Sequence, residues 1–192
     1  MVERLRDFVA QFQLLTDEEI DLIVDNADIR VFEKGTLLLK EGQVCNTCYF
    51  VLQGCVREYY VVDGEEKSTA FFTEYDPVNA FTSATNQTPS RYYLECVEDC
   101  VLTVGEVDMV EEMVQRIPRL ENVMRVEVER HAGKVQDDHA AFVMSSPEQR
   151  YLNLLEHRRD LIHRVPQHQL ASFIGVTPES LSRIRKRILL AK

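Results

Sequence analysis

Apolar and polar positions along this chain repeat with two different periods, which divide it into a strand-rich part and a helical part. Between residues 30 and 104, short runs of β-branched and aromatic residues are separated by glycines. Asp63-Gly64 is the signature of a two-residue hairpin turn, here between residues 57–62 and 67–73. Regularly spaced short strands with turn glycines are typical of a compact antiparallel sandwich or roll. The pattern therefore predicts a β-roll in the N-terminal part of the chain.

A helical pattern follows the strands, and its longest segment runs from Pro118 to Met144 without an internal proline. This length corresponds to about seven turns. Mostly apolar residues recur along it at spacings of three, four or seven, with charged residues outside the stripe. The stripe consists of Leu120, Met124, Val128, His131, Val135 and Phe142. Such a seam favours burial against a second copy of the chain, and packing on its own domain is the alternative.

Capping signals mark where further helices begin. Thr16 followed by Glu19 is a capping-box signature at the start of a short N-terminal helix. After the long helix, Ser146, Pro147 and Gln149 provide a second capping box with proline at the first helical position. The restart of a helix directly after a long one predicts a hinge and a domain boundary at this point.

The distribution of charge separates the same two parts of the chain. The net charge of −10 over 192 residues disfavours nucleic acid as a partner, because phosphate binding depends on clustered Lys and Arg. Residues 145–192, however, contain nine basic and four acidic residues, a net charge of +5, which leaves −15 on residues 1–144. This asymmetry suggests an acidic body and a small basic module that binds a polyanion.

The C-terminal segment carries the strongest functional signal. A helix-turn-helix needs a small residue where its helices cross, a glycine that turns the chain through positive φ, and an apolar wedge on the second helix. Ala171, Gly175 and Leu181 fill these places. Thr177 is an N-cap residue and Pro178 a first helical residue, so the second helix begins there.

The outward face of this second helix presents residue types that read DNA. Arginine can bond guanine bidentately, glutamate accepts from the amino group of cytosine, and serine bonds a base or a phosphate. The candidate DNA-binding residues are Gln167, Glu179, Ser180, Ser182, Arg183, Lys186 and Arg187. Lys186 and Arg187 are better placed for phosphate than for bases. The alternative is a solvated charged face on a small helical packing unit.

Several short motifs occur in a characteristic order along the chain. They are FEKG at 32–35, EG at 41–42, YFVLQG at 49–54, VPQ at 165–167 and TPESLSR at 177–183. In this order they resemble the Crp/Fnr family of transcription regulators, over nearly the whole chain. The resemblance implies an α+β protein with an N-terminal antiparallel β-roll (a double-stranded β-helix), a long dimerisation helix and a C-terminal winged-helix-like helix-turn-helix domain.

The resemblance also implies three segments with different functions. We expect a cyclic-nucleotide-binding-like sensor roll at residues 1–116, a dimerisation helix at 117–145 and a DNA-binding domain at 146–192. The implied function is sequence-specific regulation of transcription by a homodimer on an inverted-repeat operator, with RNA polymerase as a further partner. The alternative is a small-ligand-binding or protein-interaction module that no longer binds DNA.

In the family, the residues that match Glu179, Ser182 and Arg183 contact bases. The Glu-x-x-Ser-Arg form is similar to the Fnr branch, which implies a half-site related to TTGA. Pro178 stands where the cyclic-AMP-responsive branch has an arginine, so the site preference of that branch does not carry over.

The effector site departs from the family pattern. Cyclic-nucleotide-binding members present a Gly-Glu pair and then Arg-Ser or Arg-Thr, whereas residues 77–81 and 89–92 read PVNAF and PSRY. Because the Gly-Glu pair is missing, we expect no cyclic nucleotide and a small-molecule effector of unknown identity. The candidate pocket residues are Phe81, Ser90, Arg91 and Tyr92. The alternative interpretation is that Arg91 is a surface residue and the aromatic residues belong to the core.

Thiolates hold iron–sulfur clusters, which makes the five cysteines candidates for a redox centre. Cys48 and Cys55 fall in predicted strands, however, where a free cysteine is an ordinary small hydrophobe. We therefore expect structural cysteines and no cofactor, with a thiol switch and a cluster as the alternatives.

Metal-dependent enzymes built on β-rolls need histidines on the roll strands. All five histidines of this chain lie after the roll: His131, His139, His157, His163 and His168. The sequence therefore predicts no metal site and no enzyme activity. His131 is interpreted as a packed or partly exposed side chain, with a pH switch as the alternative. With neither a secretory signal nor an apolar run of about 20 residues, the expected location is the cytoplasm and no membrane partner is expected.

Overall fold

The computed structural model describes residues 1–190, so the last two residues of the expected DNA-binding domain lie outside the described residues. Eight strands occur in this range: β1 (Asp28–Phe32), β2 (Leu37–Leu39), β3 (Thr47–Gln53), β4 (Val56–Val62), β5 (Glu65–Phe72), β6 (Pro77–Val78), β7 (Tyr93–Cys96) and β8 (Cys100–Glu106). Nine helices accompany them: α1 (Val2–Ala10), α2 (Asp17–Asp25), α3 (Phe81–Asn86), α4 (Val107–Arg116), α5 (Pro118–Met144), α6 (Pro147–His157), α7 (Arg159–Arg164), α8 (Gln167–Phe173) and α9 (Pro178–Leu190).

The strands form two four-stranded antiparallel sheets, which confirms the predicted α+β fold with an N-terminal roll. The strand order is β1-β8-β3-β6 in one sheet and β2-β7-β4-β5 in the other. Strands β4 and β5 form the predicted hairpin, and Asp63 and Gly64 at its turn have φ values of 54° and 77°. Both values are positive, as a type I′ turn requires. Strand β5 is an edge strand of its sheet.

The cysteines lie mostly in the interior of the roll. Cys55, Cys96 and Cys100 are fully buried, and all five thiols are free. Cys48 lies in β3 as expected, but Cys55 lies in the turn between β3 and β4 and not in a strand. Burial raises the pKa of Cys55 to about 12, so its thiol is protonated at neutral pH. Within residues 1–190, no three His, Cys, Asp or Glu side chains are grouped so that they could hold a metal ion.

Helix α5 begins and ends at the predicted residues and spans 27 residues. Val123 is its buried residue and packs near the start of the helix. Most of the predicted stripe is open to solvent in the single chain, with Met124, Val128 and Val135 exposed by 40%, 49% and 54%. Packing on its own domain therefore does not cover the stripe. None of the described helices is long and apolar enough to cross a membrane.

The chain restarts as α6 after an extended residue, Ser145 (φ −100°, ψ 140°). The predicted capping box is present, because the Ser146 hydroxyl accepts from the Gln149 N–H and the Gln149 side chain accepts from the Ser146 N–H. The described residues after Ser145 form helices and their connections, so the strands of a wing are not among them. Helices α6 to α9 share one buried core with Cys55, Phe71 and Val97 of the roll.

Candidate nucleic-acid interface

Helices α8 and α9 have the predicted helix-turn-helix arrangement. Ala171 and Leu181, at the point where the helices meet, have no exposed surface. Gly175 has a φ of 75°, and the N–H of Val176 donates to the Ala171 carbonyl at 2.9 Å to close the turn. A residue with a Cβ would be strained at this φ, which explains the glycine.

The start of α9 is fixed by a small hydrogen-bond network. The Thr177 hydroxyl accepts from the Ser180 N–H at 3.3 Å, as an N-cap residue does. The Ser180 hydroxyl lies 3.2 Å from that of Thr177 and accepts from a guanidinium N–H of Arg183 at 3.2 Å. Ser180 is half-buried, and its hydroxyl oxygen accepts both of these bonds, which places it beside the Arg183 guanidinium in the N-terminal half of α9.

The other predicted base-reading residues lie on the exposed face of α9. Glu179, Ser182 and Arg183 are exposed, and Lys186 follows one turn later on the same side. The pKa of Glu179 is lowered, first by a hydrogen bond from its own backbone N–H and then by the Thr177 side chain and the charge of Arg183. Its carboxylate is therefore ionised at neutral pH and can only accept hydrogen bonds.

Two further candidates, Arg187 and Gln167, also have partners in the chain. A guanidinium nitrogen of Arg187 lies 3.0 Å from a carboxylate oxygen of Glu148, across a cleft of about 450 Å³ between α6 and α9. Gln167 opens α8, and its amide nitrogen lies 3.5 Å from the Pro178 carbonyl oxygen, at the limit of a hydrogen bond. Lys186 and Arg187 were both predicted to bind phosphate. Of these two, Arg187 is paired with Glu148.

Arg150, which sequence reasoning missed, connects three elements at the hinge. Its Nε donates to the Phe142 carbonyl at the end of α5, and its Nη1 donates to the Ile174 carbonyl in the helix-turn-helix, both at 3.0 Å. Its guanidinium also stacks on the Phe142 ring, 3.6 Å from the centroid. Phe142 therefore belongs to this hinge contact. An arginine four residues after an N-cap has no distinctive pattern, so no local signal pointed to it.

The predicted effector residues are only partly brought together. Ser90 is buried, and its hydroxyl donates to the Tyr92 carbonyl (2.9 Å) and accepts from the Tyr92 N–H (3.2 Å), which occupies it within its own turn. Tyr92 is half-buried with its ring 5.4 Å from that of Tyr60, and burial raises the pKa of its hydroxyl. Arg91 and Phe81 are exposed at the surface.

The roll is similar to a known domain family. Residues 29–117 match the family model of the cyclic nucleotide-binding domain. No curated protein matches the chain by sequence. The family match covers most of the roll and ends at the residue before α5.

Several solved structures are similar over most of the chain. The c-di-GMP responsive global regulator CLP of Xanthomonas campestris superposes with a TM-score of 0.71 at 16% identity, over 92% of this chain and 93% of that one. FixK2 from Bradyrhizobium japonicum gives 0.69 at 18% identity, over 86% and 85%. A protein described as a transcriptional regulator of the Crp/Fnr family from Eubacterium rectale gives 0.70 at 16% identity, over 96% and 88%. At these identities the likeness concerns the fold: the chain has the fold of these solved structures, and within it residues 29–117 match the cyclic nucleotide-binding domain.

Proposed function

We propose that this protein is a transcription regulator that binds an inverted-repeat DNA site as a homodimer. The observation that carries the proposal is the exposed polar face at the start of α9, held in place by a complete helix-turn-helix core. It lies in the basic part of an otherwise acidic chain, where a polyanion would bind. Residues 1–116 would be the sensor, 117–145 the dimerisation helix and 146–192 the DNA-binding domain.

Roles are assigned to the candidate residues by their positions on α8 and α9, and Ser180 would contact a base or a phosphate beside Arg183. Glu179, Ser182 and Arg183 are exposed at the N-terminal end of the helix, the part of a recognition helix that contacts base edges. Lys186 would bind the phosphate backbone. Arg187 would do so only after leaving Glu148, and Gln167 would contact DNA from the first turn of α8.

The proposed partner for the exposed stripe of α5 is the same stripe of a second copy. Apolar residues at coiled-coil spacing lie outside the core of the single chain, and a second copy would remove them from water. A two-fold dimer would present two recognition helices about 34 Å apart, which matches half-sites one helical turn apart. A regulator of this kind acts in the cytoplasm and has RNA polymerase as a further partner.

The experiment that tests the proposal is selection of binding sites from a library of DNA duplexes, followed by a mobility shift. We expect enrichment of inverted repeats with half-sites related to TTGA, and specific binding about 10³-fold or more tighter than to scrambled duplex. Equal binding to selected and scrambled duplexes would show that the chain does not read DNA. It would then be a ligand-binding or protein-interaction module.

We further propose that the effector of the roll is not a cyclic nucleotide. The Gly-Glu pair is absent, Ser90 is occupied by its own turn, and Arg91 points to the surface. Cyclic AMP at millimolar concentration should therefore give no calorimetric heat and no change in Tm. A ligand present at 100 times its Kd would stabilise the protein by about 2.7 kcal/mol, which is a shift of several degrees. Such a shift, if lost in Arg91→Ala, would show that this arginine holds the phosphate.

A further inference from the structure

The C-terminal helices rest on the open edge of the roll. Strand β5 is at the edge of its sheet, where backbone N–H and C=O groups are unpaired unless another element covers them. The Ser172 hydroxyl on α8 accepts from the Ser68 N–H at 2.9 Å and donates to the Glu66 carbonyl at 3.0 Å. One side chain thus satisfies two edge groups of β5, as a neighbouring strand would.

Two arginines extend this contact along the roll. Arg158 donates to the Phe71 carbonyl at 3.3 Å and to the Thr73 hydroxyl at 3.2 Å. Arg164, at the end of α7, makes a bidentate pair with the Glu74 carboxylate, at 2.8 and 2.9 Å, and donates to Glu98 from Nε at 2.8 Å. Charge-assisted pairs of this kind are the stronger hydrogen bonds of proteins.

The two carboxylates that hold Arg164 belong to different parts of the roll, Glu74 after β5 and Glu98 between β7 and β8. Burial opposes the ionisation of Glu74, but hydrogen bonds from Arg164 and from the Gly54 N–H outweigh this effect and lower its pKa. Glu74 is therefore ionised at neutral pH. The arginine side chain is 21% exposed, so water screens the pairs only in part.

A buried apolar core accompanies the polar contacts. The rings of Phe71 on β5 and Phe173 on α8 meet edge to face, with centroids 5.2 Å apart. Cys55, Phe71 and Val97 of the roll belong to the same buried cluster as Leu161 and Leu170 of the C-terminal helices. We name this whole contact the clasp: Arg158, Arg164, Ser172 and Phe173 with their partners on the roll.

The C-terminal helices also contact α5 at the hinge, but this second contact involves few residues. Across the hinge, Arg150 bonds the Phe142 carbonyl of α5 and stacks on the Phe142 ring, next to an extended backbone at Ser145, so this contact rests on one residue of α5. Helix α5 is exposed over most of its length and gives the C-terminal helices no broad surface to rest on. We infer that the clasp, and not the hinge, sets the orientation of α9 relative to the roll. Opening the clasp would leave the two recognition helices of a dimer without a fixed separation, a consequence that rests on the proposed function.

The first test does not involve DNA. Hydrogen exchange is measured on the full chain for wild type, Arg164→Ala and Ser172→Ala, with Arg159→Ala as the control because Arg159 is an exposed arginine on the same helix. We expect the amides of β5, Ser68 above all, to exchange about tenfold faster in both variants, the loss expected for one or two hydrogen bonds. Strands β1 and β8 and the control should be unchanged. If the β5 amides of both variants exchanged at the wild-type rate, the clasp would not hold the helices on the roll, and the inference would be wrong.

The second test measures orientation. The same variants are titrated against an isolated half-site, the operator with its natural spacing, and an operator with about five base pairs inserted. We expect the preference for natural spacing to fall about tenfold in Arg164→Ala and less in Ser172→Ala, with half-site affinity unchanged. If exchange showed that the clasp is open but the spacing preference stayed at its wild-type value, the hinge would set the orientation, and the inference would be wrong. Failure of every duplex to bind would overturn the proposed function, while the exchange experiment would still decide the clasp.

Discussion

Arg183→Ala is expected to lower the affinity for the operator by roughly 1 to 3 kcal/mol per half-site and to relax the preference at one base pair. The reason is that Arg183 is exposed at the start of α9 while the Ser180 hydroxyl holds its guanidinium in place. An arginine that bonds a guanine edge loses that energy only on the cognate sequence. The effect should therefore be small on scrambled duplex.

The matched variant is Lys186→Ala, which removes one cation from the same face of α9. A phosphate contact carries no sequence information, so this change should weaken all duplexes alike and lower the salt slope by about one.

Glu179→Ala should lower the affinity for the operator but raise the affinity for scrambled duplex, because it removes a negative charge that faces the DNA backbone. Competition titrations against operator and scrambled duplex at two salt concentrations measure all three. If Arg183→Ala lost affinity equally for both duplexes, α9 would bind only the phosphate backbone and would not read bases.

Joint substitution of Val128→Asp and Val135→Asp should convert a dimer into monomers. Both valines are about half exposed in the single chain, and in the proposed dimer the new carboxylates would face each other without solvent. Sedimentation velocity at micromolar concentration should give wild type near twice 22.3 kDa and the variant near the single mass. Binding to the two-half-site operator should fall with it, because the second half-site is then bound independently.

The control for this experiment is Lys134→Asp, which changes the net charge by the same amount outside the apolar stripe. It should remain dimeric. A wild-type monomer at micromolar concentration, or dissociation of the control as readily as of the double variant, would contradict a seam along α5.

The sequence by itself determined the elements whose signals are local. The hairpin at Asp63-Gly64, the extent of Pro118 to Met144 and the helix-turn-helix spacing of Ala171, Gly175 and Leu181 all depend on residues a few positions apart. Turn chemistry, helix capping and apolar periodicity act over that range, so a single chain shows them without its structure. The exposed polar face of α9 was predictable for the same reason, because a helix of known start places its residues on known faces.

Only the tertiary structure decided how these elements meet. Ser172 reaches the edge of β5 across 104 residues, and Arg164 pairs with Glu74 across 90. No pattern in the sequence connects such positions, because an edge strand becomes a docking site only once the sheet order leaves it at the edge. The same holds within the roll, where Cys55 lies in a turn and the Ser90 hydroxyl bonds its own turn. The packing of the module on the roll depends on which surfaces remain uncovered after each part has folded, and this property belongs to the assembled chain.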